Sequence, residues 1–432
     1  AMETADIASI TTPILSSFTQ ISNLSSQQIQ AFTNAQIRAL TTTQLQSLSA
    51  DQYSSLTATE ISNFSAAQVS SFTTVGIATL SSAQIQAIPA GAVASLDLSA
   101  LTTDQINALT TKQISALSAT KINNLSATSL SALNGSAVGA ITTSVIASLS
   151  SDQISNLSTS QISALTSLQI QALTTAQVNA MHADQIASIS ASGVSALTTT
   201  QITGLTAAID LLAGLSTAQI PALSAANVAI LTANQLNALS TTQINSLSAT
   251  QAKALSGTQI TALTTENLVA LSSSAIANLS TSALSTISTT QLQYLTTAQM
   301  QGLTTTAVRA LSTDQIVALT TAQASSLTTA QISSFTTQQV NKLTTTNTTA
   351  LTTSQIKALG SAQIAAMTTD QINNLTSAQV QSLSTAGISS ITTANIALLT
   401  TTTISNLSTA QIQALSSSQF ANLTTGDIAA LT

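Results

Sequence analysis

His182 is the single histidine in a chain of 432 residues that contains no cysteine. An imidazole can ligate a metal or act as a general base. A metal centre, however, needs several His, Cys or carboxylate ligands, and a serine nucleophile needs a base that is itself held by a third group. No G-x-S-x-G turn presents a serine beside His182. Its place in the repeat described below reads as a surface helix cap. No catalytic, cofactor-binding or metal-binding residue is therefore expected, and the chain reads as a non-enzyme.

The carboxylates lead to the same expectation. Asp51, Asp104, Asp152, Asp184, Glu266, Asp314 and Asp370 recur several repeats apart, so the sequence specifies no acid–base pair. The abundant hydroxyl residues suggest other roles. Asn23-Leu24-Ser25 and Asn374-Leu375-Thr376 match the N-glycosylation pattern, but each Asn stands where a helix would end, a position that Asn favours. Thr-Thr pairs could present a flat hydroxyl array of the kind that binds ice, although the first hydroxyl of each pair is needed as a cap.

Composition excludes further classes. Only 5% of residues are charged, the net charge is −6, and seven Lys and Arg are spread over the whole length. They form no positive stripe for phosphates, so nucleic-acid binding is not expected. No apolar run approaches the roughly 18 residues that would span a bilayer, so no membrane insertion of this segment is expected. With 44% hydrophobic residues at fixed positions, a core can form and disorder is not predicted. The opening residues do not read as a secretion signal.

What must position any side chain here is an eight-residue repeat, L-[TS]-[TS]-x-Q-[IV]-x-A, with the large apolar residue at position 1. It runs from Leu24 to Leu96, from Leu101 to Leu205 and from Leu215 to Leu431. Register slips fall at 18–24, 96–101 and 205–215, and the organisation expected is a single octapeptide-repeat solenoid over 1–432. In one continuous α-helix eight residues advance about 800°, so the leucine stripe would drift around the rod. A β-solenoid needs tight corners, and 12 glycines are too few to make them.

Short helices fit. The motif [ST]-x-x-Q is a capping box, and the apolar residues at positions 1 and 6 stand where a hydrophobic staple forms. The charges agree: the seven acids named above lie at position 4, and Asp6, Glu60 and Asp427 lie at position 5. Arg38, Lys253, Arg309 and Lys357 lie at position 7 and Lys342 at position 8. Acids in the first turn and bases in the last are what the helix dipole favours. Lys112 and Lys121, at positions 4 and 5, depart from this sorting. Pro13 falls near a helix start and Pro89 replaces a cap, whereas Pro221 at position 7 predicts a kink or altered coil around Asp210–Ala222. The closing octads repeat the pattern, with Ser408, Ser416 and Thr424 as caps and Gln411, Gln419 and Asp427 as their partners.

A helix of six or seven residues is too short to stand alone in water, so the octads must stack. The fold class expected is all-α, a repeat solenoid or superhelix of very short capped helices, one per octad. Positions 1 and 6, helped by the small residue at 8, should face the core, and positions 3, 4 and 7 should face water. Two or three octads per coil are both compatible with the repeat.

The phrase LTxxQ[IV]xAL is similar to the LTPEQ opening of TAL-effector repeats and to the LTxxQ motif of small periplasmic stress proteins. In tandem, as in LTTAQVNAM from Leu173, it resembles the Thr/Gln-rich repeat regions of very large bacterial surface or secreted proteins, including adhesin-like and RTX-like chains. This resemblance covers essentially the whole sequence and implies an extracellular or cell-surface location. The expected role is a structural spacer, stalk or fibre segment. The alternatives are a binding or adhesion module for a protein, glycan or surface, and an ice-binding Thr array. Partners would be a second copy or a surface or protein ligand.

Overall fold

The structure, a computed structural model, describes residues 3–204 and 212–431. The chain divides into two compact units, Ala1–Ala222 and Leu223–Thr432, each built from the same coils. The described residues form short helices and no strand.

Each octad folds from its own start signal. In Thr329–Ser333 the Thr328 hydroxyl accepts from the Gln331 N–H at 3.2 Å, and Gln331 Oε1 accepts from the Thr328 N–H at 2.7 Å. Two backbone donors left over at a helix start are thereby satisfied. Helices begin at position 3 and end between positions 6 and 8, and the corner that follows is made by extended residues at positions 1 and 2, such as Leu327 and Thr328. No described residue has a positive φ. The corners therefore need no glycine, which is why so few suffice.

Helices stack at intervals of three octads. Ser167–Ala172 packs against Ala191–Ala196, and Ala249–Ala254 against Ser273–Asn278, the second helix of each pair starting three octads after the first. One coil is thus three octads with three sides, and a two-octad coil is not formed. Positions 1 and 6 fill the core, as Leu327 and Ile332 do. Positions 3, 4 and 7 mostly face water. Position 8 departs from the expected core role and is mostly half-buried. It turns about 200° from the core residue at position 6 and lies at the seam with the next coil, where Asn341 Nδ2 donates to the Ala366 carbonyl at 3.0 Å.

Position 5 holds the main surprise: most of its glutamines are buried. Gln331 Nε2 donates to Met300 O at 2.8 Å and to Leu303 O at 2.7 Å, 31 and 28 residues back. Those carbonyls belong to the end of a helix and to the corner after it, where intrahelical partners run out. Both amide protons and the amide oxygen are used, so the buried side chain is satisfied.

This glutamine ladder continues across the register slips. After the slip at 18–24 the spacing shortens by two, with Gln44 Nε2 reaching Phe18 O 26 residues back. After 96–101 it shortens by three, with Gln105 Nε2 reaching Leu80 O 25 residues back. Gln219 Nε2 reaches Ile189 O 30 residues back, two more than usual. Single 3-10 turns, Ile21–Asn23 and Leu98–Ala100, absorb the first two. Residues 205–211 of the third slip lie outside the described residues.

The prolines behave as their geometry requires. Pro13 sits in the first turn of Thr12–Ser17, and Pro89 caps Ala90–Val93 without a side-chain cap bond. At Pro221 the coil is altered: a 3-10 turn, Ile220–Ala222, replaces the α-helix. Asp210, at the start of the predicted irregularity, lies outside the described residues. The caps Ser408, Ser416 and Thr424 form their boxes, and Phe420 and Ile428 are exposed.

Candidate functional site

The buried slot at position 5 is where chemically distinctive side chains collect, because it favours a hydrogen-bond donor, although Ala137, Val145, Ala275, Ala283 and Ala307 occupy it without one. Asn347, shorter than Gln, reaches only Leu319 O, at 2.7 Å. Lys121 donates from Nζ to Leu96 O at 2.8 Å. Its place at a helix start, unfavourable to a cation, thus has a reason that the dipole argument missed. Gly76 leaves the slot empty, and the ring of Tyr53 from the coil below fills it.

Glu60 is the one glutamate in the slot. Its Oε2 accepts from the Thr57 N–H at 2.6 Å, as a glutamine oxygen would. Its Oε1 is buried without a hydrogen-bond partner. Burial pushes the carboxyl pKa up, opposed by the Thr57 N–H and hydroxyl.

Other candidate groups stay apart. His182 caps Ala183–Ser188 through its backbone N–H, which Gln185 Oε1 accepts at 2.8 Å; its ring makes no cap bond and is exposed. The acids at position 4 are exposed. Asp104 and Asp152, or Glu266 and Asp314, fall on one side of the solenoid but two coils apart. Among the described residues no three His, Cys, Asp or Glu side chains gather to hold a metal, and no helix is long and apolar enough to cross a membrane. Asp97 and Asp427 are held below the usual carboxylate range, chiefly by the hydroxyls of Ser99 and Thr424 respectively.

The glycosylation-pattern Asn374 donates from Nδ2 to Asp370 O at 2.8 Å, closing its helix end. Cap hydroxyls such as Thr328 Oγ1 already accept an N–H, so the first hydroxyl of a Thr-Thr pair is engaged in its own helix start.

One open groove of about 900 Å³ is present in the second unit. It runs along a corner between Thr337, Asn341, Lys342, Met367, Thr369 and Asn395. Asn395 occupies the glutamine slot there; its Nδ2 reaches Met367 O at 3.1 Å and its Oδ1 accepts from the Thr369 hydroxyl at 3.2 Å. The shorter side chain fills less of the corner than Gln, and the lining combines hydroxyls, amides and one ammonium with the apolar Ala365, Ala366 and Met367.

No curated protein matches the chain. The ALTTAQ repeat family matches it five times, at residues 21–58, 90–127, 295–329, 349–377 and 404–432, which together are less than half of its length. Those five matches, spread over both units of a helical repeat solenoid, establish a tandem repeat region similar to the ALTTAQ repeat.

Proposed function

We propose that the chain is a structural spacer, a stalk or fibre segment of a larger surface or secreted protein, and has no active site. The observation that supports this most is the glutamine ladder: most coils are bonded to the one before by buried side chains, along the direction in which coils are added. The exposed faces carry small hydroxyl residues with sparse charge, a surface suited to separating things rather than gripping them. The surface or secreted setting rests on the resemblance of the tandem phrase to such repeat regions.

Duplicating Leu327–Ala350, one coil of three octads, tests the reading. Small-angle scattering should show the maximum dimension growing by about 8–10 Å, one helix layer. An unchanged dimension with a thicker cross-section would sink the spacer role.

A second reading, a binding module, draws on the groove at Asn395. Its hydroxyl and amide lining suits an uncharged polyhydroxylated chain such as a glycan. A glycan array probed with the chain and with Asn395→Gln decides it: binding that the variant loses supports a ligand in this groove, and no binding by either discards it.

A further inference from the structure

We propose that Glu60 is a proton-binding site that couples the packing of its coil to pH, with the carboxylic acid rather than the carboxylate as the form that completes the glutamine ladder.

The register defines what Glu60 faces. On either side of it in the chain, Gln52 Nε2 donates to Ile21 O and Leu24 O, and Gln68 Nε2 donates to Ile37 O and Leu40 O, in each case 31 and 28 residues back. For position 60 the corresponding acceptors are the carbonyls of Ile29 and Phe32. An amide offers two protons there, whereas a carboxylate offers none and sets negative charge against two carbonyl oxygens. The buried, unpartnered atom of Glu60 is Oε1, the one that takes the place of the amide nitrogen. Protonated at Oε1, the side chain donates one hydrogen bond and keeps Oε2 on the Thr57 N–H. Ionised, it leaves a buried charge without a partner, the costlier arrangement.

Few charges nearby can substitute for the proton. The helix below, Asn34–Ala39, carries Arg38, whose guanidinium is engaged by Asn63 Oδ1 at 2.7 Å. The helix above, Ser82–Ala87, has no titratable side chain. Of the adjoining helices, Ser26–Gln30, Thr42–Gln46, Ala66–Val69 and Thr74–Thr79 have none, and Ala50–Ser55 contributes exposed Asp51 and buried Tyr53.

The sign follows from linkage. Burial raises the folded-state pKa of Glu60 above its ordinary value of 4.5, so the folded coil holds the proton more tightly than the unfolded chain. Its contribution to stability is complete below the unfolded value and is lost as pH rises through the folded one. Acidification therefore tightens this coil, and neutral pH loosens it.

The chain has three glutamates, Glu3, Glu60 and Glu266, so labelling Glu with 13C at the side-chain carboxyl yields three resonances. Glu60→Gln identifies the one that belongs to Glu60. It should titrate at higher pH than in the chain unfolded in urea, and the protection of the Ile61 and Phe64 amides should fall through the same titration. In Glu60→Gln that fall should be lost, with protection at neutral pH raised above the parent's. A Glu60 resonance titrating as in the unfolded chain, or a Glu60→Gln variant with the parent's pH dependence, would overturn the proposal.

Discussion

The phenol of Tyr53 does for its coil what the side chain of Gly76 cannot. Its hydroxyl donates to Leu45 O at 2.7 Å, the carbonyl that a glutamine at 76 would serve in the register of the ladder. A β-carbon on Gly76 would lie 2.5 Å from the Tyr53 ring. The ring also packs edge-on against Phe72, with centroids 5.3 Å apart. Burial raises the phenol pKa, so the hydroxyl keeps the proton that it donates.

Either change alone should therefore cost stability. Gly76→Ala overpacks the slot, at about 1–3 kcal/mol, and Tyr53→Phe removes one donor from Leu45 O, which keeps the Leu48 N–H at 3.2 Å, at about 0.5–1.5 kcal/mol. The double variant Tyr53→Ile with Gly76→Gln restores the ordinary repeat and should recover most of the loss. A double-mutant cycle of Tyr53→Ile, Gly76→Gln and the two together, followed by urea unfolding, measures the coupling; strict additivity would mean that the two sites are independent.

Gln331 separates the two jobs of its amide. Gln331→Ala removes both: Leu303 O loses its donor, at about 1–3 kcal/mol, while Met300 O keeps the Leu303 N–H at 3.3 Å. Gln331→Glu keeps the cap acceptor and loses the donor, so at neutral pH it should be at least as destabilising as alanine, with a deficit that shrinks on acidification. Urea unfolding of the three proteins at two pH values checks this.

Caps should behave locally. Thr328→Ala should cost about 1 kcal/mol. Gly360 is a glycine in the cap position, with φ of −78° and no contact closer than 3.6 Å for an added β-carbon. Gly360→Thr supplies the missing acceptor and restricts the unfolded chain, so it should stabilise by about 0.4–1 kcal/mol. Thermal unfolding reads both directions.

The 3-10 turn at Leu98–Ala100 depends on an ionised Asp97, whose carboxylate accepts the Ser99 hydroxyl at 2.7 Å and the Ser99 N–H at 3.0 Å. Those bonds hold its pKa below the ordinary 3.8. Its contribution is present above that value and is lost as pH falls through the folded pKa. Protection of the Ser99 amide should drop at the acid end, and Asp97→Asn, which keeps an acceptor, should flatten the drop.

The helix starts were legible because a capping box is local: Thr328 and Gln331 stand three positions apart, and their types announce the bond. The number of octads per coil was not, because it depends on Gln331 meeting Leu303 of the preceding coil, in a chain whose octads are nearly alike. A trace of the ladder was nevertheless present. A capping box accepts Glu as readily as Gln, yet Glu60 is the only Glu at position 5, and this bias reports a preference for a donor that capping does not impose. Lys121 carried the same message in a form that read as an exception to the dipole rule. The part played at Gly76 is not written in its own octad, because the residue that fills the slot, Tyr53, belongs to another coil.

The three-octad coil can be measured by a ruler along one side of the solenoid. The chain has no cysteine, so spin labels can be placed at Val317 with Asn341, three octads apart, and at Val317 with Ser333, two octads apart, all at position 7. Labels at 317 and 341 should show strong dipolar broadening, since they sit on successive coils about 8–10 Å apart, while labels at 317 and 333 lie on different sides and should show less. Stronger broadening for 317 with 333 than for 317 with 341 would contradict a coil of three octads and the glutamine ladder built on it.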